Sequence, residues 1–302
     1  MSLRAKAGSS PSLVGVIHLP ALGGAPLAKF PDLSTCMQAA GEWAVREAQA
    51  LEKLGFQGLI LENFGDFPFY GQTVPPETVA SMAVIAAAVR EACKIPLGIN
   101  ILRNDARAAL AVAAVAGCQF IRVNVLAGVA ATDQGLLQGC AAELLRERAR
   151  LEATVGILAD VHVKHAQTLS SRDIAIAVEE LATRALADGV IITGPSTGRE
   201  VADDRLAAAA RAARDCGVPL WIGSGATADS MGRLLPHITG GVIVGSALRS
   251  RGQAGAPLDL KRAAAVAKAF HAAVRKAKQP PKRRRREISK DSVRAQRTPR
   301  QK

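Results

Sequence analysis

The stretch from Gln119 to Val163 opens with Gln119-Phe-Ile-Arg-Val-Asn-Val125 and closes with Val155-Gly-Ile-Leu-Ala-Asp-Val-His-Val163. Both ends are short runs rich in β-branched residues, and the segment 136–152 between them has helical period. Strand, helix and strand in that order form a βαβ unit, whose two strands run parallel. Working outward, the same alternation fills Leu13 to Arg275. The strand runs are Leu13–Leu19, Gly58–Glu62, Pro96–Ile101, Gln119–Val125, Val155–Val163, Gly189–Thr193, Val218–Gly223 and Gly241–Gly245. Helical segments follow them at 34–54, 76–93, 104–116, 136–152, 171–187, 203–215, 227–235 and 259–275. Eight such pairs, in a length near the ~250 residues typical of the architecture, predict an α/β fold closed as a (β/α)8 TIM barrel over 13–275. An open doubly wound sheet uses the same alternation, but eight strands without a compositional break favour closure. Gly55, Gly117, Gly189 and Gly217 stand where helices must stop and turn, and Asn104 or Asp105 and Asp203 or Asp204 stand where N-caps are needed.

Composition supports the layering. The chain has 302 residues, 49% hydrophobic and only 3% aromatic, which excludes a disordered chain, a collagen-like fibre and a disulfide miniprotein. Five widely spaced cysteines without a CxxC indicate buried thiols rather than a zinc ribbon or disulfide frame. No apolar run reaches the ~20 residues that cross a bilayer, and residues 1–12 lead into no signal-type apolar region, so a flexible N-terminus and a cytoplasmic location are expected. The net charge of +13 is unevenly placed. Residues 276–302 hold twelve Lys or Arg against Glu287 and Asp291, leaving only +3 for everything before them. That segment reads as a disordered, solvated tail, and any nucleic-acid contact would run through it.

Barrel chemistry collects where strands end, and here those ends are polar. They offer His18, Glu62, Asn100, Arg122, Asn124, Asp160, His162 and Lys164. Period two places Asp160, His162 and Lys164 on one strand face and pairs Arg122 with Asn124 on the neighbouring strand. A structural ion-pair network linking Arg122 to Asp160 is one reading. The catalytic reading makes Asp160 or Glu62 a general base, His162 a proton shuttle, and Lys164 an electrostatic stabiliser or Schiff-base nucleophile. His18, Asp160 and His162 could instead ligate a divalent metal. No other cofactor is indicated.

The later strand ends are of a different kind. Gly194, Gly223-Ser224-Gly225 and Gly245-Ser246 let backbone N–H groups approach an anion, at positions where barrels commonly hold phosphate. The chain contains no GxxxxGK[ST], and Gly223-x-Gly225-x-x-Ala228 lies too late in the pattern for a dinucleotide fingerprint.

Together these motifs resemble the BtpA/SgcQ family. The resemblance is carried by Val14-Gly-Val-Ile-His18-Leu-Pro20, Leu61-Glu62-Asn-Phe-Gly-Asp66-Phe-Pro68-Phe69, Val74-Pro-Pro-Glu77-Thr78 and Gly98-Ile-Asn100-Ile-Leu-Arg103-Asn-Asp105. It continues through Phe120-Ile-Arg122-Val-Asn124-Val125, Thr132-Asp133-Gln134-Gly135, Ala159-Asp160-Val-His162-Val-Lys164-His165, Thr193-Gly194 with Thr197-Gly198, and Gly223-Ser-Gly225. It implies a barrel of the ribulose-phosphate-binding type. It also implies two functional directions, since the BtpA branch is associated with photosystem I biogenesis and the SgcQ branch with sugar-phosphotransferase gene surroundings.

Two functions therefore stand as expectations. One is an isomerase, epimerase, lyase or hydrolase acting by acid/base chemistry on a small phosphorylated, sugar-like or nucleotide-like ligand. The other is a non-catalytic biogenesis factor docking peripherally on a membrane photosynthetic complex. Homo-oligomerisation is compatible with either.

Overall fold

A computed structural model of the chain describes residues 10–163, 166–169, 173–194 and 201–278. Its strands are β1 (Ser12–His18), β2 (Gly58–Glu62), β3 (Leu97–Asn100), β4 (Phe120–Val123), β5 (Val129–Thr132), β6 (Gly135–Gln138), β7 (Gly156–Val161), β8 (Ala166–Thr168), β9 (Gly189–Ile192), β10 (Leu220–Ile222) and β11 (Gly241–Val244). Eight of them close a parallel barrel in the order β1-β11-β10-β9-β7-β4-β3-β2, so the closed alternative is the correct one. The other three form a separate antiparallel sheet, β6-β5-β8.

The helices are α1 (Leu33–Lys53), α2 (Pro76–Ala92), α3 (Ala106–Val115), α4 (Ala141–Arg150), α5 (Ile174–Glu179), α6 (Asp203–Asp215), α7 (Met231–Leu234) and α8 (Leu260–Lys278). A π-helical turn, Glu180–Arg184, continues α5. Local chemistry explains several starts. Asp32 caps α1 by accepting from Thr35 N at 2.8 Å, and Asp105 caps α3 by accepting from Ala108 N at 2.9 Å. Pro76 opens α2, where its missing N–H costs nothing.

Three local expectations are corrected. Residues 136–138, expected at the start of a helix, instead belong to β6, which pairs with β5 as a hairpin. Asp203 and Asp204 do not cap α6: Ala202 occupies that position without a side-chain bond, and the two acids lie in the first turn, where they complement the helix dipole. Gly55, Gly117 and Gly217 have the left-handed backbone expected of them, but Gly189 does not. It begins β9, where a Cβ would lie 2.6 Å from Leu158 Cδ2.

The core has two layers. The outer one packs the helices onto the barrel. The inner one fills the barrel with Val14, Val16, Ile60, Phe120, Leu158, Ile191, Trp221 and Ile243. Large and small residues are matched across it. Phe120 fits because β3 carries Gly98, whose Cβ would lie 2.2 Å from the phenyl ring, and Trp221 fits because Gly241 leaves its indole room. All five cysteines are free; Cys36, Cys93 and Cys118 are buried. Among the described residues no helix is long and apolar enough to cross a membrane. The basic run from Lys282 onward, with the nucleic-acid contact expected of it, lies outside the described residues.

Candidate active site

Alternation along each strand carries the inner core into the site. Two residues beyond Val16, Ile60, Gly98, Phe120, Leu158, Ile191, Trp221 and Ile243 stand His18, Glu62, Asn100, Arg122, Asp160, Thr193, Gly223 and Gly245. The inward-facing layer thus changes from apolar to polar on β1–β4 and β7, and to glycine after β10 and β11. Register places His18 opposite Glu62 and Glu62 opposite Asn100.

Above this layer lies a cavity of 630 Å³. His18, Glu62, Arg103, Arg122 and Asn124 line it from β1–β4, and Gly223, Ser224, Gly225, Gly245 and Ser246 line it from β10 and β11. Phe64, Phe67 and Phe69, from the loop after β2, and Asp133, from the β5–β6 turn, complete its wall.

Asp160 is committed to its neighbours. It accepts from Arg122 Nε at 3.1 Å, Arg122 Nη2 at 3.0 Å and Asn124 Nδ2 at 2.7 Å. Asn100 continues the chain below, donating from Nδ2 to Arg122 O at 3.1 Å and to Asn124 Oδ1 at 3.3 Å. Burial works against the charge of Arg122, but Asp160 and Glu62 outweigh it, and the guanidinium holds its proton more tightly than a free one. Burial lowers the proton affinity of Arg103, with Glu62, Asp133 and Asp160 opposing that effect.

The imidazole of His18 is fixed in orientation. Its Nδ1 accepts the backbone N–H of Gly255 at 3.3 Å, which in the neutral ring leaves the proton on Nε2. Nε2 lies 3.9 Å from Glu62 Oε1. The ring packs against Phe64 at a centroid distance of 4.6 Å, and Gly245 leaves space for it: a Cβ there would lie 3.1 Å from His18 Cε1.

His162 departs from the expected alternation. Strand β7 ends at Val161, and His162 has φ 54, so its side chain leaves the face of Asp160 and bonds through Nδ1 to Arg205 Nη2 at 3.0 Å. Asp160 and His162 border a second cavity of 350 Å³, with Asn124, Glu180 and Arg184. Burial, then the charge of Arg205, lowers the pKa of His162. Lys164 lies outside the described residues. The metal trio is not assembled: among the described residues no three His, Cys, Asp or Glu side chains could hold an ion together.

On the glycine side, Ser224 Oγ is buried without a hydrogen-bond partner among the described residues, and so is Thr193 Oγ1. A Cβ on Gly223 would lie 2.4 Å from Ile191 Cγ2 and 3.3 Å from Arg122 Nη2, so this backbone passes close to the guanidinium. Among the described residues lining the main cavity, Gly194 is not found.

Sequence reasoning left Arg103, Asp133 and the phenylalanines out of the site. The aromatic cluster had a signal: Phe64, Phe67, Phe69 and Tyr70 are four of only ten aromatic residues in the chain. Other polar residues near the strand ends prove structural. Asn63 Oδ1 accepts Leu102 N at 2.8 Å, Asp66 Oδ1 accepts Leu22 N at 2.8 Å, and Asn104 bonds Val125 through both amide atoms.

Comparison with known proteins gives three results. The model of the BtpA family matches residues 9–272. The photosystem I biogenesis protein BtpA of Synechocystis is 44% identical over 85% of this chain and 87% of its own, and uncharacterized proteins of Pyrococcus furiosus and Caenorhabditis elegans are 40% and 34% identical, covering 84% of this chain each and 93% and 91% of their own. Two solved Pyrococcus furiosus structures share the fold. N-(5'-phosphoribosyl)anthranilate isomerase has a TM-score of 0.52 at 13% identity, covering 86% of this chain and 99% of its own; thiamine phosphate pyrophosphorylase has 0.52 at 12%, covering 92% and 100%.

Proposed function

The chain belongs to the BtpA family, and from the division of its cavity we propose an enzyme that acts by acid/base chemistry on a small phosphorylated substrate. One observation carries the reading. A single cavity joins a His–Glu pair and two arginines to glycine loops whose serine hydroxyl is buried with no partner among the described residues. An unsatisfied buried hydroxyl costs roughly 1–3 kcal/mol, and a phosphate oxygen would satisfy it.

The roles follow from geometry. Glu62 lines the cavity and is the general base; Asp160, bonded to Arg122 and Asn124, acts as a positioning residue. His18, whose neutral ring keeps its proton on Nε2, 3.9 Å from Glu62 Oε1, donates a hydrogen bond to the substrate oxygen on which negative charge develops, while Glu62 both takes and returns the proton. Arg122 and Arg103 stabilise negative charge that develops on the substrate. The N–H groups and hydroxyls of 223–225 and 245–246 hold the phosphate.

Thermal-shift measurements with phosphorylated sugars and nucleoside monophosphates test this. A ligand at 100 times its Kd stabilises by about 2.7 kcal/mol. Wild type shifts, Ser224→Ala shifts less, and Glu62→Gln still binds but does not turn over. If no phosphorylated compound shifts the wild type, the reading fails.

The second reading, an assembly factor for a membrane photosynthetic complex, is favoured by the 44% identity to the Synechocystis protein; the archaeal and nematode relatives carry no such name. On that reading Glu62→Gln leaves assembly of the complex intact in the cell.

A further inference from the structure

The loop after β2 lines the cavity with three phenylalanines, Phe64, Phe67 and Phe69. Phe67 is 47% exposed, and Tyr70 beside it is 59% exposed. Phe69 stands edge-on between Phe64 and Phe67, each centroid 6.5 Å from its own, with planes inclined by 60° and 68°. Clustered apolar exposure of this kind marks an interaction site more often than a folding contribution.

The loop is nevertheless held firmly. Asn63 and Asp66 fix it through backbone N–H groups of Leu102 and Leu22, Arg103 N donates to Tyr70 O at 2.9 Å, and Gly65 N donates to Leu19 O at 3.0 Å. Gly65 is required for the close approach, because a Cβ would lie 2.2 Å from Ala21 N. Buried polar anchors thus immobilise a segment whose apolar side chains line the cavity, which is the arrangement of a preorganised binding surface.

The glycine loops after β10 and β11 line the same cavity, and His18 touches both groups, its ring 4.6 Å from that of Phe64 and 3.1 Å from where a Cβ on Gly245 would lie. Its 630 Å³ lies in the ~300–1,000 Å³ range of sites for drug-sized ligands, larger than a bare sugar phosphate needs. We infer that the substrate carries a planar aromatic or heteroaromatic ring as well as a phosphate, the ring packing on Phe64, Phe67 and Phe69 while the phosphate sits at Ser224 and Ser246. This inference rests on the phosphate reading above and names the substrate class for that site.

Isothermal titration of the full chain with inorganic phosphate, ribose 5-phosphate, the nucleoside 5'-monophosphates AMP, GMP, CMP and UMP, and 4-nitrophenyl phosphate tests it. At least one ring-bearing phosphate is expected to bind about tenfold or more tightly than ribose 5-phosphate. In Phe67→Ala/Phe69→Ala that ligand falls to the affinity of ribose 5-phosphate. Phe67→Leu/Phe69→Leu, which keeps an apolar surface should the alanine variant unfold, loses most of the same advantage. Ribose 5-phosphate binding as tightly as every ring-bearing probe overturns the ring assignment and leaves the phosphate reading standing. An advantage that survives both double substitutions overturns the assignment to these residues. Absence of binding by every probe overturns the phosphate reading, and this inference with it.

Discussion

Arg122 and Asp160 meet across the paired strands β4 and β7 through two hydrogen bonds, Nε to Oδ2 at 3.1 Å and Nη2 to Oδ1 at 3.0 Å. The carboxylate side chain is wholly buried and the guanidinium is 5% exposed, so neither charge has water to fall back on. The fork geometry fixes the plane of the guanidinium and leaves it facing the cavity.

Removing one partner of such a pair strands the other in a low-dielectric setting. Asp160→Leu and Arg122→Met are therefore each expected to cost about 3–5 kcal/mol of unfolding free energy, and Arg122→Met/Asp160→Leu less than the sum of the two. Urea unfolding of the four proteins measures the coupling. Additive losses would mean that the pair is not an energetic unit.

Gly223 and Gly245 differ in what an added methyl group meets. In Gly223→Ala the Cβ lies 2.4 Å from Ile191 Cγ2 and 3.1 Å from Thr193 Cγ2, so packed side chains must move, at a cost of about 1–3 kcal/mol. In Gly245→Ala it lies 3.1 and 3.2 Å from the His18 ring, which must shift by a few tenths of an ångström. Gly245→Ala should unfold close to wild type yet lose about tenfold or more in turnover, since small misplacements of a reacting group are costly. Equal turnover in the two proteins would remove His18 from the chemistry.

Gly98→Ala tests the barrel interior. Its Cβ would lie 2.2 Å from Phe120 Cε2, in a layer with no slack, and the expected loss is about 1–3 kcal/mol. Gly98→Ala/Phe120→Leu should recover part of it, because Leu vacates the space the methyl group takes. No recovery in thermal unfolding would place the clash elsewhere.

The barrel was legible because eight β-branched runs and eight helical segments each carry their own period. The β5–β6 hairpin was not, since four residues are too few to show alternation, and Leu136-Leu137 continues the helical pattern of α4. Polar strand ends announced His18, Glu62, Arg122 and Asp160 as a group. Their partners were hidden, because which strands are neighbours decides what each side chain meets. The same holds for Gly223 and Gly245, which read as anion-binding glycines while their closeness to Arg122 and His18 arises only from barrel closure. His162 misled for a backbone reason: Asp160-Val-His162-Val keeps perfect alternation, and one left-handed residue turns the imidazole out of it.

That turn has a pH signature. Arg205 has only donors, so the 3.0 Å contact makes His162 Nδ1 the acceptor and favours the neutral ring. Burial and the neighbouring guanidinium push the folded-state pKa below the ordinary value of 6.5. Between those two values the unfolded chain binds more protons than the folded one, so stability rises with pH there. The contribution is fully present above about 6.5 and is lost as pH falls through the folded-state pKa. Wild-type unfolding free energy should decline between pH 7 and 5 by more than that of His162→Gln, with urea unfolding at each pH as the measurement. Because His162 faces Arg205 rather than the main cavity, the pH profile of kcat/KM should be the same in both proteins. A profile altered by His162→Gln would restore this residue to the catalytic machinery.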